Sequence, residues 1–265
     1  MSDHLLSLAS GVLPECSPEQ TAAAAVDAGW PAVGIWVEPA TWTAATAAEV
    51  LARTRDAGII VLDVEVVWLK PGADDPEHLR IIDAGAQIGA RNVLVVSSDP
   101  DPQSSADKLR RLTEHAAERG MRVCLEFAAF TEVTSLAAAL DILVRSHPDT
   151  GLLIDPLHFA RTGANPQMLR GIDPHRLPYA QFCDAPASGP SPQDVPAIIH
   201  EALDLRLDVG AGGLPLRDLL GELPAAIPLS IELRSKALRD AFPGAKERAS
   251  ALLQATRSGM SGLAR

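Results

Sequence analysis

The chain has 265 residues, 47% hydrophobic and 22% charged, which is typical of a folded globular protein and excludes extensive disorder. Its formal net charge of −11 disfavours a nucleic-acid partner, because nucleic acid is itself a polyanion. No apolar run reaches the roughly eighteen residues of a membrane-spanning helix, and the three cysteines form no C-x-x-C motif, so we expect neither a membrane span nor a disulfide framework but a cytoplasmic protein.

Short apolar segments alternate with Ala-rich segments of helical period along the chain. The apolar segments predict eight strands, at about 5–10, 32–37, 59–67, 92–97, 121–127, 151–155, 178–183 and 228–233. The intervening segments predict helices at about 17–28, 43–57, 75–89, 103–119, 132–146, 166–171, 193–203, 215–220 and 243–256.

Strict alternation of eight strands with helices predicts parallel strands joined by crossover helices. We therefore expect an α/β protein of one domain over 1–265, a (β/α)8 TIM barrel, and favour it over an open doubly wound sheet. Neither G-x-G-x-x-G nor G-x-x-x-x-G-K-[ST] occurs, so no nucleotide-phosphate loop is predicted. The Pro- and Ser-rich stretch 184–196 is predicted to be a long loop on the active face.

Polar side chains stand at the carboxyl ends of the last four predicted strands, the end of a barrel that carries the active site. They are Glu126, Asp155, Gln181 and Glu232. Any one such acid is more often a helix cap or part of a surface ion pair. Three carboxylates at one spot repel one another unless they are protonated or neutralised, and oxygen donors suit Mg²⁺ or Mn²⁺. The four together therefore predict one divalent metal site with these residues as ligands.

The strand-end series E…D-x-x-H…Q-x-x-D-A…E resembles that of the xylose isomerase-like TIM barrels, the sugar isomerase and epimerase superfamily, over about 5–256. The resemblance implies one divalent metal held from strands five to eight, and its ligand positions fall on the same four residues. It also implies that His158 contacts either the substrate or a residue that supports the metal ligands. In having an amide at this ligand position, Gln181, the chain resembles the branch of the family that contains 3-dehydroshikimate dehydratases.

The segment 206–216, RLDVGAGGLPL, resembles the family's R-x-x-x-G-x-G loop, in which the Arg often contacts substrate. This implies a substrate contact for Arg206. The residue between the glycines is often Glu in the family and is Ala211 here. This difference weakens the case for assigning the substrate of any one family member to this chain. Asp184 is a further candidate, either to orient Gln181, to bind substrate or to cap a loop.

Four more residues near strand ends are candidate substrate contacts. Glu65 is placed late enough in the third strand to face the pocket, with a rim salt bridge as the alternative. Trp36 and Trp68 are candidate aromatic walls of a sugar pocket, with core packing as the alternative. Arg234 follows Glu232 by two residues.

These features predict a metal-dependent isomerase or epimerase of a sugar-like α-hydroxycarbonyl compound, acting through a metal-stabilised enediolate. Glu126 and Glu232 are the expected proton carriers and His158 a further acid or base. The alternative is a lyase that dehydrates 3-dehydroshikimate or an inosose. An AP endonuclease-like repair enzyme and a non-catalytic sugar-binding barrel are less favoured. We expect a small-molecule substrate, and 234–265 is a candidate surface for a homodimer.

Overall fold

The computed structural model describes residues 4–263, in which helices follow strands in regular alternation. The strands are β1 Leu6–Leu8, β2 Ala32–Trp36, β3 Ile60–Leu69, β4 Asn92–Ser97, β5 Arg122–Glu126, β6 Gly151–Leu153, β7 Ala180–Phe182 and β8 Leu229–Ile231. The α-helices are α1 Pro18–Ala28, α2 Ala44–Ala57, α3 Pro76–Gln87, α4 Pro102–Ala117, α5 Leu136–Arg145, α6 Pro156–Arg161, α7 Val195–Asp204, α8 Leu216–Glu222, α9 Lys236–Ala241 and α10 Ala245–Leu263.

The strands form one parallel sheet in the order β6-β5-β4-β3-β2-β1-β8-β7. Its two outer strands meet through a parallel bridge between Ile154 and Ala180, and Gln181 N donates to Ile154 O at 3.0 Å. The sheet is therefore a nearly closed (β/α)8 barrel, as the alternation of segments predicts. All eight carboxyl ends face one rim.

Local signals in the sequence account for several helix starts. Ser17 and Gln20 form a reciprocal capping box at the start of α1. Asp75, Asp101 and Asp155 each accept hydrogen bonds from amides in the first turn of the helix that follows, with Pro at its start. The Asp155 cap has a structural consequence, because it occupies Oδ1 with backbone amides and leaves Oδ2 for contacts with side chains.

One predicted helix needs correction, and one helix of the structure was not predicted. The helix expected at 166–171 is a single 3-10 turn at Pro166–Leu169, and the α-helix of this unit starts directly after Asp155, where Asp-Pro provides both the N-cap and the first helical residue. A short helix, α9, was not expected. Ser235 caps its start by accepting from Leu238 N at 3.4 Å.

The core has two parts, one between the barrel and its helices and a smaller one inside the barrel. The inner part is built from Ala32, Leu62, Leu94, Val96, Cys124, Leu153 and Tyr179. This apolar floor lies within the strands, so the space for a ligand is left at the carboxyl rim. Among residues 4–263, no helix combines the length and the hydropathy needed to cross a membrane.

Candidate active site at the carboxyl rim

The four predicted ligand residues meet at the carboxyl rim of the barrel. One terminal atom of the Gln181 amide lies 2.9 Å from Glu126 Oε1, 3.2 Å from Asp155 Oδ2 and 3.3 Å from Glu232 Oε2. All four side chains are buried, with at most 6% of any residue exposed. Each is contributed by a different strand end, from β5 to β8, so the barrel itself brings them together.

The Gln181 amide can meet the three carboxyl groups in two ways. With its nitrogen inward it donates to all three acids. With its oxygen inward, four oxygens from four strands face one point, and only a cation or shared protons can satisfy them. The ligand atoms of Glu126, Asp155 and His158 also lie within 4.8 Å of one another, which is compatible with a metal ion.

Arg206, for which the resemblance implies a substrate contact, is held by contacts within the protein. Its Nη1 donates to Asp155 Oδ2 at 2.5 Å, and its Nη2 lies 2.8 Å from Glu232 Oε2. The side chain is buried, and its Nε donates to the carbonyl of Ala202 at 2.8 Å. Arg206 is therefore a fixed counter-ion that lets the carboxyl groups of Asp155 and Glu232 lie close to each other. Its side chain also lines a cavity at the carboxyl rim.

Burial and mutual repulsion shift the pKa values of the acids in different directions. Burial, followed by repulsion from Asp155 and Glu232, raises the pKa of Glu126 well above its usual range. Burial raises the pKa of Glu232 to about 7 although Arg206 and Arg234 oppose it. Burial also acts on Asp155, but the attraction of Arg206 outweighs it and leaves the pKa below its usual value. The set thus combines a firmly ionised acid with two that hold protons easily.

Charge balance supports a divalent cation here. Four buried carboxyl groups, those of Glu65 and the three acids around Gln181, stand against the guanidinium groups of Arg206 and Arg234. When ionised, the acids leave two negative charges uncompensated, which a hard divalent cation would balance. The oxygen-rich donor set fits Mg²⁺ or Mn²⁺.

His158 and Glu65 line the same cavity, which has a volume of about 190 Å³. Burial lowers the pKa of His158 to about 4, so the imidazole is neutral near pH 7. Its ring packs edge-on against Phe130, with centroids 5.2 Å apart. Glu65 accepts a hydrogen bond from Ser10 Oγ at 2.6 Å, which fixes its carboxyl group at the wall of the cavity.

Trp36, Trp68 and Arg234 also line the cavity, closer to solvent than the acids. The Trp68 indole Nε1 donates to Ser98 Oγ at 2.8 Å. Arg234 Nε lies 3.6 Å from Glu232 Oε1, so this guanidinium is held beside an acid of the site.

Asp184 does not line the cavity and is held by backbone amides. Its Oδ2 accepts from the backbone amides of Gly210 and Gly212 at 3.1 and 2.9 Å, and its Oδ1 accepts from those of Ala185 and Leu214 at 2.8 and 3.1 Å. A carboxylate with four amide donors has no free oxygen for a ligand. Asp184 therefore caps the loop that follows Arg206, and the prediction of a substrate contact is corrected.

One buried acid, Asp63 on β3, was not among the sequence candidates. Neither of its carboxyl oxygens makes a well-aligned hydrogen bond within residues 4–263, and the side chain is 0% exposed. A Cβ at Gly34 would lie 2.9 Å from Asp63 Oδ2, so glycine there leaves the space for this carboxyl group. Burial, with repulsion from Glu65 and Glu232, raises its pKa well above its usual range. The charged residue inside the apolar run VLDVEVV was the available signal.

Comparison with known proteins agrees with this geometry. The family model described as xylose isomerase-like TIM barrel matches residues 22–256. A 3-dehydroshikimate dehydratase of Pseudomonas aeruginosa is 28% identical over 183 residues, which cover 65% of this chain and 27% of that protein. The chain thus spans about a quarter of the length of the curated relatives that it matches.

Solved structures share the fold at lower identity. The IOLI protein, crystallised with a bound zinc atom, is 17% identical with a TM-score of 0.78, and the match covers 97% of each chain. An L-ribulose 3-epimerase is 17% identical with a TM-score of 0.67, over 98% of this chain and 96% of that one. These similarities establish the architecture and leave the reaction to be argued from the site.

Proposed function

The chain belongs to the xylose isomerase-like TIM barrel family, and on that premise we propose that it is a divalent-metal-dependent isomerase or epimerase of a sugar-like α-hydroxycarbonyl compound. The observation that carries the proposal is the meeting of the Gln181 amide with oxygens of Glu126, Asp155 and Glu232 at four consecutive strand ends. Mn²⁺ or Mg²⁺ is the cation that we expect, and Glu126, Asp155, Gln181 and Glu232 would hold it.

A divalent cation at this point would polarise a substrate carbonyl and stabilise the negative charge that develops beside it. The protein's own part is to move protons. Glu126 and Glu232 each have a carboxyl oxygen within 3.3 Å of one terminal atom of the Gln181 amide, so either group can accept a proton from a substrate bound there and return it. Return to the same carbon from the opposite side gives epimerisation, whereas return to the neighbouring carbon gives isomerisation.

Arg206 and His158 support this proton transfer without changing charge. Arg206 is buried between Asp155 and Glu232 and keeps the first ionised. His158, neutral near pH 7, can donate or accept one hydrogen bond at a substrate hydroxyl. The side chains of Leu94, Val96 and Phe130 give the cavity apolar walls.

The alternative is a metal-dependent dehydratase that acts on 3-dehydroshikimate or an inosose. Two curated relatives, 28% and 27% identical, bear the name 3-dehydroshikimate dehydratase. The same proton abstraction begins both reactions, and loss of a β-hydroxyl then replaces reprotonation. The glutamic acid that has taken the substrate proton, Glu126 or Glu232, would return it to the departing hydroxyl, and the neutral His158 could hydrogen-bond to that hydroxyl.

Product analysis in D₂O separates the two. An isomerase or epimerase places solvent deuterium on the substrate skeleton, visible by NMR, and creates no new chromophore. A dehydratase supplied with 3-dehydroshikimate forms an aromatic catechol with strong ultraviolet absorbance. Deuterium incorporation into a ketose or inosose that keeps all of its hydroxyl groups, and that is lost in Glu126→Gln, supports the proposal. Exchange that persists in this variant, or catechol formation without exchange on any ketose, contradicts it.

A further inference from the structure

One cation at the carboxyl rim, Arg234, donates no side-chain hydrogen bond within residues 4–263. Its Nε is buried without a partner, and its ion-pair partner, Glu232 Oε1, lies 3.6 Å away, too far for a hydrogen bond. Glu232 has a closer cation, since its Oε2 lies 2.8 Å from Arg206 Nη2. The Arg234 side chain is 21% exposed, so its donors remain available to a ligand.

The fold leaves room for this guanidinium. A Cβ at Gly11 would lie 2.4 Å from Arg234 Nε, so any larger residue there would displace the side chain. Gly11 belongs to the 3-10 turn Ser10–Val12, which follows β1. Ser10 Oγ in the same turn donates to Glu65 Oε1 at 2.6 Å and so ties the turn to β3. The position of Arg234 is therefore bounded by a fixed turn.

Arg234 lies where two cavities adjoin. It lines the cavity of the candidate active site, which we call the rim cavity, and a second one, also of about 190 Å³, which we call the side cavity. Neutral residues form the other walls of the side cavity: Ser10, Leu13, Pro14, Cys16, Thr21 and Trp36, together with Gly11. Among the described residues that line the side cavity, Arg234 is the one with a charged side chain.

The two cavities therefore differ in charge. The rim cavity has the acids Glu65, Glu126 and Glu232 in its wall, whereas the described wall of the side cavity has a cation and no acid. An anionic group placed in the side cavity would meet free guanidinium donors without facing a lining carboxyl group. The side cavity is thus the place at this rim that suits an anion.

A small substrate can reach both Arg234 and the candidate metal ligands. Glu232 lies between them, with Oε2 3.3 Å from the inner atom of the Gln181 amide and Oε1 3.6 Å from Arg234 Nε. Because both oxygens belong to one carboxyl group, a short carbon chain covers the separation. A compound whose carbonyl and hydroxyl oxygens approach the Gln181 amide can therefore extend an anionic end into the side cavity.

A carboxylate suits this position better than a phosphate. The planar fork of a guanidinium matches the two oxygens of a carboxylate, and the hydrogen bonds between them are charge-assisted. With a divalent cation bound, that cation and the two arginines balance the four acids of the site. A carboxylate then adds one negative charge beside Glu232, whereas a phosphate adds up to two.

We propose that Arg234 binds a carboxylate of the substrate in the side cavity, and that the substrate is a keto sugar acid or a similar hydroxy-carbonyl compound with a carboxylate. The inference rests on the proposed function and adds a specificity-determining residue to it. Arg234 moves no proton; it selects and orients the substrate. Within the dehydratase alternative, 3-dehydroshikimate meets this requirement, and an uncharged inosose does not.

The first test measures binding separately from turnover. The Mn²⁺-loaded protein is titrated by calorimetry with two matched pairs, D-fructuronate against D-fructose and 3-dehydroshikimate against its primary amide, and with D-fructose 6-phosphate. In at least one pair, we expect the carboxylate to bind at least about tenfold more tightly than its neutral partner and more tightly than the 6-phosphate. No preference for the carboxylate in either pair overturns the inference, as does tighter binding of the phosphate than of both carboxylates.

The second test distinguishes binding of the carboxylate by Arg234 from binding by the Mn²⁺ ion. Arg234→Gln should weaken carboxylate binding at least about tenfold and change that of the neutral partner less than about twofold, and Arg234→Lys should restore part of the loss. Arg170→Gln is the matched control, since Arg170 is 66% exposed, pairs with Glu222 and lines neither cavity. If Arg234→Gln and Arg170→Gln bind the carboxylate alike, the proposal fails.

Gly11→Ala tests the position of the guanidinium without removing its charge. The added Cβ should push Arg234 aside and weaken carboxylate binding, while the circular dichroism spectrum stays unchanged because a flexible side chain can move. Gly221→Ala, where a Cβ meets nothing within 4 Å, is the control. Unchanged carboxylate affinity in Gly11→Ala would contradict binding at this position.

Deuterium exchange separates failure of this inference from failure of the proposed function. Exchange on a ketose, together with no preference for a carboxylate, contradicts only the inference. Carboxylate binding that depends on Arg234, without exchange on any ketose, contradicts only the proposed function.

Discussion

At the scale of single residues, the four strand-end side chains show how much a pattern can predict. Glu126, Asp155, Gln181 and Glu232 are recognisable because each follows an apolar run at the same relative place. Their proximity in space depends on closure of the barrel, and the regular alternation of strands and helices in the sequence predicts that closure. The pairing of Arg206 with Asp155 and Glu232 was not predictable in this way, since it depends on how the loop after β7 folds back.

Glu126→Gln and Glu232→Gln test the roles of the two proton carriers. Each should lower turnover by at least about 10²-fold, because an amide cannot carry the proton. Both variants should leave the circular dichroism spectrum unchanged. The metal-free melting temperature should be equal or higher for Glu126→Gln, because Asp155 and Glu232 repel the ionised form of this acid, and lower for Glu232→Gln, which removes an ion-pair partner of the buried Arg206. Turnover near the wild-type rate in either variant would refute its role.

Asp63 provides a pH test of the electrostatic account. Its pKa is raised in the folded protein, so its contribution to stability is present below its unfolded pKa of about 3.9 and is lost as pH rises through the folded value. Asp63→Asn stays neutral at every pH. Its melting temperature relative to wild type should therefore increase between about pH 4 and pH 8.

The control for this measurement is Asp56→Asn, at a side chain that is 70% exposed. Its melting temperature relative to wild type should hardly change over the same range. A difference for Asp63→Asn that falls with pH would mean that the buried carboxyl group is ionised and held by a partner.

At the scale of elements, periodicity predicted the eight strands and most of the helices, and the errors have physical causes. Asp155 follows a strand and is also the N-cap of a helix that begins at Pro156, so no loop segment in the sequence marks where this helix begins. The sequence could not distinguish Asp184 from a ligand contact, because three of its four amide partners lie on a loop 26 to 30 residues further along the chain. The sequence of α7 likewise contains no signal that distinguishes residues lining the cavity from residues packed in the core.

The loop capped by Asp184 predicts that Gly212 cannot be replaced. A Cβ there would lie 2.3 Å from the carbonyl of Ala185 and 2.4 Å from Asp184 Oδ1. Gly212→Ala should therefore destabilise the fold by about 1–3 kcal/mol, as overpacking does. The measurement is urea unfolding.

Gly221→Ala is its matched control. Gly221 lies in α8, and a Cβ there meets nothing within 4 Å. This variant should be more stable than wild type by up to about 1 kcal/mol, the helical preference of Ala over Gly. Equal unfolding midpoints for the two variants would show that the Asp184 loop is looser than the structure indicates.

At the scale of the whole molecule, a closed barrel brings four carboxyl-rim residues from β5 to β8 to one point, and a surplus of buried negative charge remains there. Fold and candidate ligand set were both predictable, because alternation determines the barrel and the barrel determines which residues share a rim.

Metal binding by the stripped protein tests the central claim most directly. After dialysis against EDTA, calorimetric titration with Mn²⁺ should show one ion bound per chain, and a free concentration of one hundred times Kd should stabilise the fold by about 2.7 kcal/mol. Asp155→Asn should lose most of this affinity. If the wild-type protein binds no divalent ion, or if the Asp155→Asn variant binds the ion as tightly as the wild type does, the four strand ends do not form a metal site.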